Sequence, residues 1–383
     1  MFCFCFFSSQ TFCFLLLCFQ AKALTIRAVY PEDKLPLTFR NMYLRGDACG
    51  LDWNKGVEMK ALGDNTFEVD IDCAEKETSL ELKVLLNDDT WMIGANHHVE
   101  VSSSSSSSQE DTVYPWFFSK NGEYYIVNNI YSKELDNTRS VLFYTPPSYN
   151  ENYLKEYKNL LVMHDGQNLC NPRTSAFGTA WMIQDTIDQL INEALMDEVI
   201  VVGPYNTGMS RTAEYTYSYD PEVGDGGQGD LYLDFLESTI IPLAKEQTRT
   251  TADRDRLGIL GSSLGGLISC YAGWSRPSVY GKIGCMSSSF WWNDLDFKSD
   301  VIPTYGMPPS PEPLIYMDSG SQPGGEAQIA IDSVIIKDDM ESYGYVEEET
   351  LMYYLDQGAG HNEASWGARF DHPMKALYPP SNV

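Results

Sequence analysis

Ser263 sits in the run Gly261-Ser262-Ser263-Leu264-Gly265, a G-x-S-x-G spacing, and His361 sits in Gly358-Ala359-Gly360-His361, far along the chain. A serine hydroxyl is a poor nucleophile until a base takes its proton, and imidazole is the usual base. The apolar run Leu257 to Leu260 reads as a strand and the residues from Leu264 onward read as a helix. In that context the glycines permit a sharp turn that lifts the hydroxyl above a sheet edge, at a helix N-terminus that favours developing negative charge. An ordinary glycine-rich strand-to-helix turn has the same composition, so the rest of the chain must decide between nucleophile and turn-maker. Ser262 is one residue out of register and reads as structural.

There are five histidines. His97 and His98 fall in a strand-like N-terminal region. For a serine on a strand-turn-helix the chain order is nucleophile, acid, histidine, which excludes His164. His372 precedes Pro373 after a helical stretch and reads as surface or packing, leaving His361 as the base. Two amide donors must face the carbonyl oxygen of a tetrahedral intermediate. The backbone N–H of Leu264 is one; the other is expected from the loop after "NLLVM", from Gln167 first and Gly166 close behind, although "HDGQN" also reads as a plain polar turn. Trp291 and Trp292 follow the strand-like "KIGCMSS" and fit either an aromatic wall for an acyl or sugar group or the packing of a long loop.

Elements must bring these residues together. Seven apolar runs, "SVLFYT", "NLLVMH", "EVIVVG", "RLGILG", "KIGCMSS", "PLIYMD" and "LMYYLD", suit strands buried on both faces. Helical stretches lie between them at 181–194, 231–247, 264–274, 327–343 and 364–377. The alternation predicts an α/β fold with a doubly wound, mostly parallel sheet. Upstream, over 24–101, period-two runs such as "NTFEVDIDC" and "SLELKVLLN" predict a small all-β, immunoglobulin-like sandwich. Seven serines from Ser102, followed by Gln109-Glu110-Asp111, read as a flexible linker over 102–111, with the second domain at 112–383.

The apolar segment 1–23 ends in Ala21-Lys22-Ala23 and reads as a secretory signal removed after Ala23, with an uncleaved anchor as the alternative. Four of the nine cysteines lie in that segment. Of the rest, Cys49 and Cys73 are expected to form a disulfide, whereas Cys170, Cys270 and Cys285 are expected to be free buried thiols. No Cys/His spacing suggests zinc, and no metal or organic cofactor is implied. With 26 Lys plus Arg against 54 Asp plus Glu, the net charge of −28 disfavours nucleic acid and anionic membrane surfaces as partners.

Taken together, "LLVMHDGQNLC", "NTGMSRTAEYTY", "GGQGDLYLDFLESTIIPL", "GSSLGGLISCYAG" and "DQGAGHNEASWGARF" resemble the putative-esterase family of α/β-hydrolases, over about 138–378. That family includes enterochelin esterase, esterase D and the feruloyl and acetylxylan esterases. The resemblance implies Ser263 as nucleophile and His361 as base. It implies an acid after the strand "PLIYMD", where the usual position is occupied here by Gln322 and Pro323. Glu326 is the nearest carboxylate beyond it and Asp318 the runner-up. The small domain resembles starch-binding-like modules, in which exposed tryptophans stack on sugars. That implies a role for Trp53 and Trp91, which fit core positions equally well. The resulting expectation is a secreted serine esterase with an ester substrate, favoured to be carried on a polysaccharide. The alternatives are a siderophore lactone, thioester or acyl-transfer enzyme, and an inactive sugar-binding protein.

Overall fold

The computed structural model describes residues 22–102, 109–306 and 311–381. The larger unit is built on an eight-stranded sheet: β1 (Glu123–Ser132), β2 (Asn137–Thr145), β3 (Leu160–Met163), β4 (Ile200–Pro204), β5 (Leu257–Ser262), β6 (Lys282–Met286), β7 (Leu314–Gly320) and β8 (Leu351–Asp356). The spatial order is β1-β2-β4-β3-β5-β6-β7-β8. Strands β1 and β2 are antiparallel to each other, β2 is antiparallel to β4, and every other pairing is parallel. All residues of β3, β4 and β5 are buried, because helices cover both faces and a parallel sheet offers no solvated side. The principal helices are α1 (Ile183–Asn192), a helical run over 229–247, α3 (Leu264–Ser275), α4 (Gly325–Ser342), α5 (Glu363–Ala368) and α6 (Asp371–Leu377), the 229–247 run being α2. This is the expected α/β-hydrolase architecture, with the seven expected strands present and β1 added at the edge. The single helix expected over 364–377 is broken at Arg369 and Phe370.

The N-terminal unit is a two-sheet β module. One sheet runs Lys60–Gly63, Thr66–Cys73, Lys22–Val29, Gln109–Val113, and the other centres on Met42–Gly46 and Ser79–Leu86. Between them lies a core containing Ile26, Leu44, Leu82 and Val84, all fully buried. Two expected boundaries shift. The strand Gln109–Val113 pairs in parallel with Lys22–Val29, so the last residues assigned to the linker belong to the module. Lys22 and Ala23 pair with Cys73 and Asp72, so removal after Ala23 would take the first two residues of a strand. The segment 1–21, where the rest of the signal was expected, and Ser103–Ser108 lie outside the described residues.

The module is docked rather than loosely tethered. The Glu151 carboxylate, 6% exposed, accepts from the Tyr30 hydroxyl at 3.0 Å and from the backbone N–H groups of Phe117, Phe118 and Ser119 at 2.6, 3.0 and 2.7 Å. Asn152 Nδ2 donates to Val29 O and Pro115 O. A carboxylate on the hydrolase unit thus organises the chain that joins it to the module.

Cysteine pairing follows packing. Cys49 and Cys73 are bonded as expected. Cys270 and Cys285, expected as free thiols, are bonded instead, because α3 packs directly on β6 and sets their Cα atoms 5.8 Å apart. Cys170 remains free and buried, and burial pushes its thiol up to about 12.

Replacing Glu151 by alanine leaves three inward N–H groups without an acceptor. At about 1 kcal/mol each, the expected loss is about 3 kcal/mol of unfolding free energy, measured by urea denaturation of the parent and variant.

Candidate active site

Strand β5 runs straight into α3 through Ser263, whose φ of 60° and ψ of −126° cost a non-glycine residue about 1–3 kcal/mol. The flanking glycines make the turn possible. A Cβ on Gly261 would lie 2.7 Å from the His164 ring and 2.8 Å from the Gly265 carbonyl carbon, and one on Gly265 would lie 3.3 Å from His164 Cβ. The strained turn projects Ser263 into a cavity of about 690 Å³.

His361 reaches the same point from the glycine-rich loop after β8. Its Nε2 is 2.9 Å from Ser263 Oγ and its Nδ1 is 2.7 Å from Glu326 Oε2. Its ring packs edge-on against Trp366. Glu326 stands in the first turn of α4 and is 3% exposed. Burial would push its carboxyl up, but hydrogen bonds from His361, Ser287 and the Gly320 N–H outweigh that and hold it below the usual carboxylate range. An ionised carboxylate only accepts, so Nδ1 carries the imidazole proton and Nε2 is free to accept from Ser263. Because the folded value lies below the unfolded one, Glu326 adds stability above about pH 4.3, and the contribution fades as pH falls through the lower folded value.

Asp318, the runner-up acid, is fully buried at the end of β7. It pairs with Arg369 Nη2 at 3.0 Å and accepts from the Tyr316 hydroxyl and the Ser287 N–H. Burial raises its carboxyl against the opposing pull of Arg369. It braces the loop and does not bond His361.

Leu264 is the first residue of α3, and Gly166, Gln167 and Asn168 form a short turn after β3. Among the described residues no protein group accepts from the backbone N–H of Leu264 or of Gln167. His164 is buried in place. The Ser269 hydroxyl donates to Gly265 O, so it accepts from His164 Nε2, and His164 Nδ1 accepts from Tyr232. Burial drops the His164 imidazole to about 3, so it stays neutral.

The cavity's aromatic wall consists of Phe177, Trp181 and Trp366, and its polar side includes Asp165, Arg211 and Glu363. Arg211 grips Asp165 through Nε at 2.9 Å and Nη2 at 2.7 Å. Burial, with a smaller push from Asp165, raises the Glu363 carboxyl. Neither Trp291 nor Trp292 lines the cavity. Trp292 is a core residue whose Nε1 donates to Ser218 O, and Trp291 is half exposed beside it. In the module, Trp53 and Trp91 form a tilted pair 6.2 Å apart, with Trp91 exposed and the Arg45 guanidinium 5.0 Å from its ring. Ser287, Arg369 and the Asp165–Arg211 pair belong to the site but do not stand out as such in the sequence. The cue available for Asp165, Arg211 and Arg369 was that each falls inside a segment carrying the family resemblance.

The description "Putative esterase" fits residues 132–377, well over half of the chain. The chain belongs to that family. It is a carboxylic-ester hydrolase. Over 250 residues it is 27% identical to "Uncharacterized protein YbbA" of Bacillus subtilis (strain 168), spanning 63% of this chain and 92% of that one. Its fold is similar to that of the enterobactin esterase FES from Shigella flexneri, solved in the presence of enterobactin. That likeness has a TM-score of 0.53 at 16% identity, over 89% of this chain and 88% of the other. A ferulic acid esterase matches with a TM-score of 0.51 at 18% identity, over 67% of this chain and 98% of its own.

The Glu326→Gln variant is expected to be less stable than the parent at pH 7, with a smaller gap in melting temperature at pH 4, below the unfolded value of about 4.3. Thermal melts of both proteins at the two pH values measure this.

Proposed function

We propose that the chain is a secreted serine esterase in which Ser263 is the nucleophile, His361 the general base and Glu326 the acid. The observation that carries this is the continuous hydrogen-bonded chain Ser263 Oγ, His361, Glu326 at 2.9 and 2.7 Å. Ser263 Oγ attacks the ester carbonyl while its proton passes to His361 Nε2. Glu326 holds the tautomer and stabilises the imidazolium without taking the proton. The backbone N–H groups of Leu264 and Gln167 receive the oxyanion, with Gly166 beside them. His361 then protonates the leaving alcohol. A water activated by the same nitrogen attacks the acyl-enzyme and regenerates Ser263. Two disulfides in the described chain support an oxidising compartment, in keeping with secretion.

For the substrate, we favour an acyl ester on a carbohydrate, supported by the exposed Trp91 beside Trp53 as a surface on which a sugar ring can stack. A second reading, a siderophore lactone, is favoured by one observation: the likeness to the enterobactin esterase covers 89% of this chain and so takes in the β module.

In hydrolysis of short-chain aryl esters, Ser263→Ala is expected to lower kcat at least about 10⁴-fold and Glu326→Ala about 10²- to 10⁴-fold, with little change in KM. Parent-level activity in Ser263→Ala would remove the serine from the mechanism. A panel of feruloylated and acetylated xylan fragments against a catecholate trilactone separates the two substrates. On the carbohydrate reading, Trp91→Ala loses retention on insoluble xylan. Equal retention of parent and variant counts against it.

A further inference from the structure

We infer that Ser287 and Arg369 are positioning residues for the Glu326 carboxylate: Arg369 engages the oxygen of the Ser287 hydroxyl, which commits the hydroxyl proton to Glu326 Oε1 and leaves Oε2 to face His361. The inference rests on the proposed role of Glu326 and concerns how that carboxylate is aimed.

Proton counting decides the direction. A guanidinium has donors and no acceptor, and a serine hydroxyl has one proton. Arg369 Nη2 lies 2.7 Å from Ser287 Oγ, so that oxygen accepts. Ser287 Oγ lies 2.6 Å from Glu326 Oε1, so its proton points there. Arg369 cannot swing away, because its Nη2 is also held 3.0 Å from buried Asp318 Oδ1. The same Asp318 oxygen accepts from the Ser287 N–H at 3.1 Å. Asp318, Arg369 and Ser287 therefore form a closed, buried bracket two bonds behind the imidazole.

The backbone gives an independent reason to assign Ser287 a task. Immediately after β6 its φ is 39°, a left-handed conformation that glycine adopts without a Cβ penalty. Backbone strain of this kind clusters at functional sites, and here the strained residue is the one whose hydroxyl bonds Glu326. The next residue supplies a contrast: the Ser288 hydroxyl is equally buried, yet among the described residues it has no hydrogen-bond partner.

Of the charged and titratable groups nearby, His361, Arg369 and Tyr353 act on Glu326 directly, and Asp318, with the Tyr316 hydroxyl on it, acts through Arg369 and Ser287. Removing the Ser287 hydroxyl takes a donor from the carboxylate. That favours its protonated form and leaves more negative charge facing the imidazole, and both effects move the acid limb of the rate profile to higher pH.

The test compares Ser287→Ala, Ser287→Gly and Ser288→Ala, with Ser263→Ala alongside to check the triad reading separately. Glycine suits the left-handed backbone, so a loss shared by Ala and Gly does not come from misfolding. Both Ser287 variants are expected to lower kcat about 10- to 100-fold, to leave KM within about twofold, and to shift the acid limb upward by about half a pH unit. Ser288→Ala is expected to match the parent. Proton NMR of the His361 Nδ1–H gives a readout that needs no turnover: its low-field signal is expected to move or broaden in Ser287→Gly and to persist in Ser288→Ala. Parent-like kcat, acid limb and imidazole signal in Ser287→Gly would overturn the inference, as would equal effects from Ser288→Ala. Failure of Ser263→Ala to lose activity would instead defeat the triad reading, with the NMR comparison still deciding whether Ser287 aims Glu326.

Discussion

A carboxylate withdrawn from water takes up a proton unless it is given hydrogen bonds, and the active site depends on how this is met for Glu326. Three donors from separate parts of the fold converge on it: the Gly320 N–H at the end of β7, the Ser287 hydroxyl after β6, and His361 in the loop after β8. Each becomes available only when the parallel sheet has assembled with β6, β7 and β8 in register. The charge is therefore kept by the fold as a whole, and with it the imidazole tautomer that leaves Nε2 facing Ser263.

The same logic recurs at Glu151, where one buried carboxylate gathers a tyrosine hydroxyl and three consecutive backbone amides. There the result is architectural: the chain leaving the β module is fixed against the hydrolase unit. Strain is distributed in a related way. Ser263 and Ser287 both hold left-handed backbone angles at the ends of adjacent strands, and the Cys270–Cys285 bond ties the helix after the first to the strand before the second. Both turns thus sit on a cross-linked base.

Local signals were legible in the sequence. Ser263 announces itself through glycines at fixed spacing, and His361 through a glycine-rich loop after the last strand. Glu326 could be reached by asking which carboxylate follows the turn after β7, although Asp318 stayed in contention because sequence does not show that Arg369, 51 residues away, would claim it. Other features depend on packing between distant segments. The partners of Glu151 lie 32 to 34 and 121 residues away, so a serine-rich run read naturally as a loose tether. Cys270 and Cys285 sit on a helix and a strand, and only the contact between those elements makes them a pair. Trp292 matched an aromatic wall by position, yet the wall is built by Phe177 and Trp181 from one loop and Trp366 from α5, whose convergence no spacing reveals. Edge strand β1 escaped notice because Asn128 and Asn129 cut short the run Tyr124-Tyr125-Ile126-Val127, at the point where the strand bulges.

The central claim, that the aligned chain from Glu326 through His361 makes Ser263 a nucleophile, is tested most directly by covalent trapping. The protein is incubated with an alkyl fluorophosphonate at pH 7, and the adduct is located by peptide mass mapping. The expected result is one adduct per chain, on Ser263, forming much more slowly in Glu326→Gln. No adduct on Ser263, or equal trapping rates in the parent and Glu326→Gln, would contradict it.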